Sequence, residues 1–561
     1  MTVPLATELK CGTANPLVPP KDRCIINELP AELLSLIFVL GLDLADEDWD
    51  DDGTGSDSDS DFNGNPVDWQ ILVSSVCRRW REVALEVPQL WSEVVFTEKS
   101  TLEQAQTYLQ RSKEAPLKIF IDYTNSESQT WPYSSLSELE DLMDRFKRML
   151  TLLRMHLKHV AELEVMVTLW KYMGVLLEFL GSCDGAPMLE VLELYHYEDE
   201  DDLDNEPSPS SIPESDKQQN FVLFKGDIPR LKQVALWGVH VDWEKSLFLK
   251  NLAVLELAYH EPELSPSFKS FARILRSSPN LVTLTISQSG PRGGPVEWLQ
   301  SITDGTDGVD IELSSVDMQI ELPKVEEFVL AFVDCQYAID LMDRLIFTNL
   351  SRLTLDFEEG DFTDFISSLV KPHRVTGKSI LSTLTYFRLG GLRHCRKQVL
   401  DEMVETMQNV VSLHINFHFL ASADWYIHLT PKPGDKVQFP RLEELHSVGL
   451  VGSELIKLVT ARRAAGVPLL RLFVSEDDDM DPEEEKWLKE ESGLKAFDTF
   501  ENSEDEDEDE GLVELSDEED FEGEFYDEDM DEDEDDDDDF YDDEDDDEEE
   551  DEEHGVWIDI D

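Results

Sequence analysis

Residues 251–287 read NLAVLELAYHEPELSPSFKSFARILRSSPNLVTLTIS and contain one apolar pattern twice, with a candidate helix between the copies. The pattern is apolar-x-x-apolar-x-apolar, and its two copies are Leu252-Leu255-Leu257 and Leu281-Leu284-Ile286. Since alternate residues of a strand share one face, each copy predicts a short strand with one buried side. Residues 266–278 have apolar side chains at helical spacing and predict a helix that covers this side. A single unit of this kind cannot bury its own flanks, so neighbouring units are expected to stack.

The same pattern recurs over most of the chain. Its other copies are Leu189-Leu192-Leu194, Leu231-Val234-Leu236, Val325-Phe328-Leu330, Leu350-Leu353-Leu355, Leu384-Phe387-Leu389, Val410-Leu413-Ile415 and Leu469-Leu472-Val474, with weaker copies at Val160-Leu163-Val165 and Leu442-Leu445. Candidate covering helices lie at 335–347, 399–408 and 452–466. The mean spacing of about 28 residues is within the range of leucine-rich repeats. We therefore expect an α/β fold with an irregular, leucine-rich-repeat-like solenoid over residues 97–475; the alternative is a set of ordinary α/β core strands that resemble one another by chance.

The pattern also predicts which face of the strands meets a partner. Residues interleaved with the apolar ones point away from the covering helices, towards the concave surface of a solenoid. The candidates for a substrate-binding face are Trp237, Glu256, Tyr259, Arg352, Asp356, Tyr386, Arg388, His414, Asn416, Glu444, His446, Arg471 and Phe473. Aromatic and arginine side chains of this kind are enriched at protein interfaces. The alternative is a sheet face that contacts only solvent.

The segment 25–96 has a different character. Apolar residues recur at three- and four-residue steps on both sides of an acidic run, which predicts short amphipathic helices. About 45 helical residues cannot bury so many large apolar side chains by themselves. We therefore expect some of these side chains to contact a partner.

The motifs of this segment resemble an F-box of the kind found in large fungal protein families. They are Leu29-Pro30, Glu32-Leu33-Leu34, Ile37-Phe38, Val76-Cys77-Arg78-Arg79-Trp80 and Pro88-Gln89-Leu90-Trp91. The resemblance implies a three-helix module over 24–96 that docks on the Skp adaptor of a Skp-cullin-F-box ubiquitin ligase. The adaptor contacts it implies are Leu29, Pro30, Leu33, Leu34, Ile37, Phe38, Val76, Cys77, Trp80, Leu90 and Trp91. The alternative is a helical hairpin that belongs to the core of the protein.

The segment departs from the F-box pattern at one place. Residues 42–66 form an acidic insertion where a tighter connection between helices is usual. The insertion leaves the helical motifs intact. Its expected effect, if it has one, is to weaken or regulate docking on the adaptor. Whether the module still binds its adaptor is therefore an open question.

Charge divides the chain into unequal parts. The net charge is −79, from 125 acidic and 46 basic residues, and residues 476–561 hold 52 of the acidic residues and 3 of the basic ones. Like charges at this density oppose compaction, so we predict a disordered acidic tail over 476–561. Residues 1–23 and the loop 198–219 are predicted to be disordered as well. The tail has two interpretations: a binding element for basic proteins such as histones, or a segment that only increases solubility.

The composition also bears on the cellular setting. Six cysteines lie far apart without paired spacing, which is typical of reduced thiols in the cytoplasm or nucleus. No window is long and apolar enough for a signal peptide or a transmembrane helix. We expect a cytoplasmic and/or nuclear protein that binds no membrane. Nucleic acid is disfavoured as a partner, because such complexes depend on Lys and Arg contacts with phosphate.

The motifs of common enzyme classes are not present. The sequence has no Walker-type loop, no Gly-x-Ser-x-Gly and no His-Glu-x-x-His. The EF-hand-like start at Asp59 fails at its twelfth position, where Gln70 replaces the bidentate Glu. We therefore predict no catalytic residues, no metal site and no cofactor. The predicted function is that of a substrate receptor of a cullin ligase with an unidentified protein substrate; the alternative is an acidic scaffold or chaperone-like binder of basic proteins, independent of ubiquitination.

Overall fold

The computed structural model describes residues 25–50, 69–124, 136–197, 211–303, 318–357, 360–392, 394–418, 420, 422–434 and 436–500. These residues belong to the first of the two units into which the chain divides. Helices and parallel strands alternate along most of them, so the fold class is α/β, as the sequence predicts. Residues 1–24 and 501–561 lie outside the described part, and with them the predicted N-terminal segment and most of the predicted tail.

The first described elements are helical. A 3-10 turn at Ile25–Glu28 precedes α1 (Ala31–Asp50), and α2 (Trp69–Val76) and α3 (Arg78–Glu86) follow. A second 3-10 turn, Pro88–Trp91, then leads into the sheet. Helix α1 continues eight residues beyond Leu42, so the first part of the predicted insertion 42–66 is helical backbone. Leu and Ala in this stretch are strong helix formers, which explains the extension. Residues 51–66 lie outside the described part.

The strands that follow are β1 (Glu93–Thr97), β2 (Leu117–Tyr123), β3 (Val160–Val167), β4 (Val191–His196), β5 (Gln233–Trp237), β6 (Val254–Ala258), β7 (Thr283–Ser287), β8 (Ile320–Leu322), β9 (Glu327–Ala331), β10 (Leu345–Phe347), β11 (Arg352–Asp356), β12 (Tyr386–Leu389), β13 (Ser412–Asn416), β14 (Glu444–Val448), β15 (Arg471–Ser475) and β16 (Ala496–Phe500). Fourteen of them form one parallel sheet in chain order. Strands β8 and β10 pair only with each other, also in parallel.

Helices connect most of these strands. They are α4 (Leu102–Arg111), α5 (Leu136–Arg154), α6 (Trp170–Ser182), α7 (Glu214–Lys217), α8 (Phe268–Arg276), α9 (Pro295–Thr303), α10 (Cys335–Met342), α11 (Thr363–Val370), α12 (Lys397–Thr406), α13 (Ser422–Leu429), α14 (Gly452–Ala464) and α15 (Pro482–Glu490). The four covering helices predicted from the sequence correspond to α8, α10, α12 and α14.

The sheet has one buried face and one open face. The predicted apolar triplets lie in or just before β3 to β7, β9, β11 to β13 and β15, and their apolar residues are buried. In β6, for example, Leu255 and Leu257 are buried, whereas Val254 and Glu256 on the other side of the strand are only partly so. The core therefore lies between the sheet and the helices, and the interleaved residues form the open face.

Two predicted boundaries are wrong. We placed the start of the disordered tail at residue 476, but α15 and β16 continue the fold to Phe500. Asp481 and Glu484 form a capping box at the start of α15, with Pro482 as its first residue, and Leu488 is fully buried. The acidic composition of this segment therefore led us to predict disorder where the chain forms a helix. In the predicted loop 198–219, residues 211–219 are described and include α7; there the Asp216 carboxylate accepts a hydrogen bond from Trp170 Nε1 at 2.8 Å.

A left-handed residue follows five of the strands directly. These residues are Gly238, Tyr259, Gln288, Phe332 and Gly449, with φ of 61°, 52°, 42°, 52° and 84°. The first four continue the ladder: the Tyr259 N–H donates to the Ser287 carbonyl at 3.0 Å, and the Phe332 N–H donates to the Asp356 carbonyl at 2.9 Å. The chain thus turns away from the sheet in the same way at successive strand ends.

Candidate interaction surfaces

An exposed apolar surface lies on the first two helices. In α1 the side chains of Leu33, Leu36, Ile37 and Leu40 are 41 to 54% exposed, and in α2 those of Ile71, Leu72 and Val76 are 37 to 56% exposed. The α1 residues follow i, i+3, i+4, i+7 spacing and therefore share one face of the helix. We call these seven residues the helical apolar surface. An exposed patch of this kind is typical of a site where another protein binds.

The opposite side of α1 is part of the core. Leu34 and Phe38 are fully buried, and the Phe38 ring lies 5.0 Å from that of Trp80. Leu90 and Trp91 are also buried, and Trp91 Nε1 donates to the Ala84 carbonyl at 2.9 Å.

These burials correct part of the predicted adaptor contact. Leu34, Phe38, Leu90 and Trp91 hold the helices together, and their side chains are not accessible to a partner. Pro30, Leu33, Ile37 and Val76 are exposed, and Leu29, Cys77 and Trp80 are half-buried. The helical apolar surface also contains Leu36, Leu40, Ile71 and Leu72, which the sequence interpretation did not name. The i+3 and i+4 spacing from Leu33 was the signal that could have identified Leu36 and Leu40.

Close contacts fix the three helices relative to one another. Trp69 Nε1 donates to the Phe38 carbonyl at 2.7 Å, and the Trp69 ring lies so close to Gly41 that any Cβ there would overlap it. The Arg79 guanidinium donates to the Leu29 carbonyl. These contacts therefore hold the exposed apolar residues of α1 and α2 in fixed positions relative to one another.

A second candidate site lies on the open face of the sheet at β4 to β6. The rings of Tyr195 and Tyr197 are parallel with centroids 6.1 Å apart, and the Trp237 ring stands nearly perpendicular to both at 5.4 and 6.0 Å. Tyr259 adds a fourth ring 5.3 Å from Trp237. We call these four residues, together with Glu193 and Glu256, the acidic aromatic cluster.

The two carboxylates of this cluster lie among the rings. Trp237 Nε1 donates to Glu256 at 2.7 Å, and Glu193 accepts hydrogen bonds from the Tyr195 hydroxyl at 3.3 Å and from Gln233 at 2.5 Å. Burial raises the pKa of Glu256, the Glu193 charge raises it further, and the hydrogen bond from Trp237 opposes both effects. Burial and the surrounding carboxylates likewise raise the pKa of Tyr195. The site therefore holds two carboxylates, Glu193 and Glu256, in partly buried positions.

The open face changes character at β11 to β15. The Arg352 guanidinium lies 3.9 Å above the Tyr386 ring, and the Tyr386 ring lies 4.8 Å from that of His414. The His414 ring stacks on that of His446 at 3.7 Å, and the His446 ring stacks on that of Phe473 at 4.4 Å. Burial, His446 and Arg388 lower the pKa of His414 to about 3, so its ring is neutral at physiological pH.

Three side chains of this row are close enough to share a metal ion. Ligand atoms of His414, Glu444 and His446 all lie within 4.8 Å of one another. Glu444, however, already accepts a hydrogen bond from the Ser412 hydroxyl at 2.7 Å and pairs with the Arg471 guanidinium. The nearby cationic side chains oppose a divalent ion. The arrangement suits a protein-binding surface better than a metal centre.

Most of the predicted substrate-face residues do lie on the open face, at least partly exposed. Asn416 is the exception: it is buried, and its side-chain oxygen accepts a hydrogen bond from the His418 N–H at 3.0 Å, so it stabilises a turn. The prediction missed Glu193, Tyr195 and Tyr197. The two-residue alternation that identified Glu256 in β6 also identifies Glu193 and Tyr195 in β4.

The chain matches no protein-family model and no curated protein. None of the helices in the described part of the chain is long and apolar enough to cross a lipid bilayer.

Proposed function

We propose that this protein is the substrate-recognition subunit of a Skp-cullin-F-box ubiquitin ligase in the cytoplasm or nucleus. The observation that carries the proposal is the helical apolar surface, in which Leu33, Ile37 and Val76 of the F-box-like motifs lie exposed on the outside of the helical module. In this role α1 to α3 form the F-box and bind the Skp adaptor. The chain itself carries out no bond chemistry, since the ligase partners supply the catalysis.

The sheet supports the same proposal. In it, the repeating strands and helices are a leucine-rich-repeat-like solenoid whose open face binds the substrate protein. Aromatic and arginine side chains line this face from β4 to β15, and such side chains supply most of the binding energy at protein interfaces. The module that binds the adaptor and the face that binds the substrate then lie in one chain.

The test uses two charges placed on the helical apolar surface. The double variant Leu33→Glu/Val76→Glu changes only exposed side chains, so folding is expected to be retained while adaptor binding is lost. Co-expression with the Skp adaptor followed by size-exclusion chromatography measures the complex. The double variant Val296→Glu/Val375→Glu places two charges on other exposed valines and is expected to bind the adaptor normally. Adaptor recovery that is equal in all three proteins, or absent with the wild type, removes the ligase assignment.

The distribution of charge favours a second candidate function. Residues 501–561 contain 41 acidic and no Lys or Arg residues, which suits an acidic scaffold for basic proteins such as histones. Deletion of residues 503–561 separates the two candidates. If basic proteins are lost while the adaptor is retained, the tail is a separate binding element; if recovery of basic proteins is unchanged, the scaffold function fails.

A further inference from the structure

The acidic aromatic cluster has the components of a site for a cationic side chain. Two parallel tyrosine rings and a perpendicular tryptophan ring offer π-faces, and Tyr197 and Tyr259 are 36% and 43% exposed. Aromatic rings attract ammonium and guanidinium groups, and Trp attracts them most strongly. Tyr197 and Tyr259 are therefore partly accessible to solvent, and the faces of aromatic rings carry the negative potential that attracts a cation.

The carboxylates of the cluster have only neutral hydrogen-bond donors within the described residues. Glu256 accepts from the Trp237 indole, and Glu193 accepts from the Tyr195 hydroxyl and the Gln233 amide. In the β4 to β6 register they are separated by Ala235 alone, which places their backbones about 10 Å apart. Two partly buried negative charges this close to each other are costly without a positive partner.

Backbone conformation gives an independent observation. Tyr259 has φ of 52°, at the position after its strand that Gly238, Gln288, Phe332 and Gly449 occupy after theirs. A left-handed conformation is energetically unfavourable for a non-glycine residue. This residue therefore places an aromatic ring beside Trp237 at an energetic cost. Phe332, which has the same conformation after β9, extends the row with its ring 6.3 Å from Tyr259.

We propose that the acidic aromatic cluster binds an arginine or lysine side chain of a basic protein segment. The guanidinium or ammonium group lies against Trp237 and the tyrosine rings and pairs with Glu193 and Glu256. This inference rests on the proposed receptor function and assigns a chemical class to its substrate: a protein with an accessible basic segment. The Arg352 to Phe473 half of the face, which carries three arginines, is not the site of this contact.

The test measures binding of a defined peptide to the full chain at 150 mM salt, without the adaptor. The probe is fluorescein-labelled Gly-Ser-Arg-Gly-Ser-Arg-Gly-Ser-Arg-Gly-Ser, read by fluorescence anisotropy. A second peptide with citrulline in place of each arginine has nearly the same shape and no charge. We expect the arginine peptide to bind and the citrulline peptide to bind at least about tenfold more weakly. Equal binding of the two peptides, or no binding of either, overturns the proposal.

Matched variants locate the contact. Glu193→Gln/Glu256→Gln removes the two carboxylates, and Trp237→Leu removes a ring without a change of charge; each is expected to weaken the Kd by about tenfold. The control Glu483→Gln/Glu490→Gln removes two exposed carboxylates from α15, and Tyr386→Leu removes a ring from the other half of the face. Both controls are expected to bind within about twofold of the wild type.

The outcomes are distinguishable from failure of the receptor function. If the cluster variants bind like the wild type while their thermal melts are normal, the peptide binds elsewhere, for example to residues 501–561, and the cluster proposal fails. The carboxylate variant is nearly isosteric, so it stays informative even if Trp237→Leu unfolds. The adaptor test changes Leu33 and Val76, which are not part of the acidic aromatic cluster. Its result, positive or negative, therefore does not bear on peptide binding by the cluster.

Discussion

At the scale of single residues, His260 is a buried base that folding keeps neutral. Its ring nitrogens contact the Ser289 hydroxyl at 2.8 Å and the Val239 carbonyl at 2.9 Å. Burial lowers its pKa from 6.5 to about 4. Between these two values the unfolded chain binds the extra proton, so the stabilising contribution is fully present above about pH 6.5 and is lost as the pH falls to about 4.

The first prediction concerns this pH dependence. His260→Gln is expected to lose less stability than the wild type between pH 7 and pH 4, by up to about 3 kcal/mol in the free energy of unfolding. Urea denaturation of both proteins across this range measures the difference, in which the titration of the many shared carboxylates cancels. Parallel pH curves for the two proteins would contradict the assigned burial of His260.

Arg462 is a buried charged residue with a defined structural role. Its guanidinium donates to the Phe439 carbonyl at 2.7 Å and to the Leu429 carbonyl at 3.3 Å, and burial lowers its pKa to about 10. These carbonyls lie at the end of α13 and in the connection to β14. Arg462 thus supplies hydrogen bonds that this irregular backbone lacks.

The second prediction is that Arg462→Met lowers the free energy of unfolding by about 2 to 4 kcal/mol, because it leaves buried carbonyls without donors. The neighbouring Arg463 is exposed, so Arg463→Met is the matched control and is expected to change stability by less than about 0.5 kcal/mol. Denaturant midpoints give both values. A similar loss in both variants would show that the buried hydrogen bonds are not the cause.

At the scale of elements, the sequence predicts the positions of the strands well, but it predicts less well which side chains are buried and which are exposed. Alternation and spacing identified eleven strands, because a strand with one buried face must repeat every second residue. The exposure of Leu36 and Leu40 in α1 was missed, since an apolar residue on a helix looks the same in the sequence whether it faces the core or a partner. His260 and Arg462 were missed as well, because their burial depends on segments distant in sequence.

The end of the sheet was misplaced for a physical reason. Strand β16 has four partly buried residues and one exposed residue, so it lacks the buried apolar triplet that marks most of the other strands. We placed the start of the tail at residue 476 because the acidic residues that follow the last apolar triplet begin there. The Asp-Pro-x-Glu sequence at 481–484 was the available signal, since it begins a helix with a capping box.

The third prediction follows from this edge. A chain that ends at residue 475 is expected to be less stable and more prone to aggregation than one that ends at residue 502, because it exposes the edge of β15 and the core beneath Leu488. Thermal melting and light scattering of the two truncated chains test this. Equal melting temperatures would mean that α15 and β16 contribute nothing to the sheet.

At the scale of the whole sheet, each strand pairs only with strands that are close in the sequence. In such an arrangement stability is approximately a sum of local terms and contacts between neighbours. A destabilising substitution in one strand is therefore expected to unfold the neighbouring strands before the more distant part of the sheet.

The fourth prediction uses Gly391, where a Cβ would overlap the Phe357 carbonyl oxygen. Gly391→Ala is expected to reduce hydrogen-exchange protection in β11 to β13 while β2 to β6 remain protected, as measured by mass spectrometry. Gly377→Ala is a useful comparison, since no atom lies within 4 Å of its Cβ, although its positive φ makes a small loss expected. A uniform loss of protection in Gly391→Ala would indicate that the sheet unfolds as one unit.

The order of the strands also has an evolutionary consequence. Strands β4 and β5, and likewise β7 and β9, keep full register although residues 198–210 and 304–317 separate them in the chain. A connection between neighbouring strands can therefore lengthen without moving any ladder hydrogen bond. Proteins built in this way can vary loop length and open-face residues independently, so new binding preferences can arise while the scaffold is inherited unchanged.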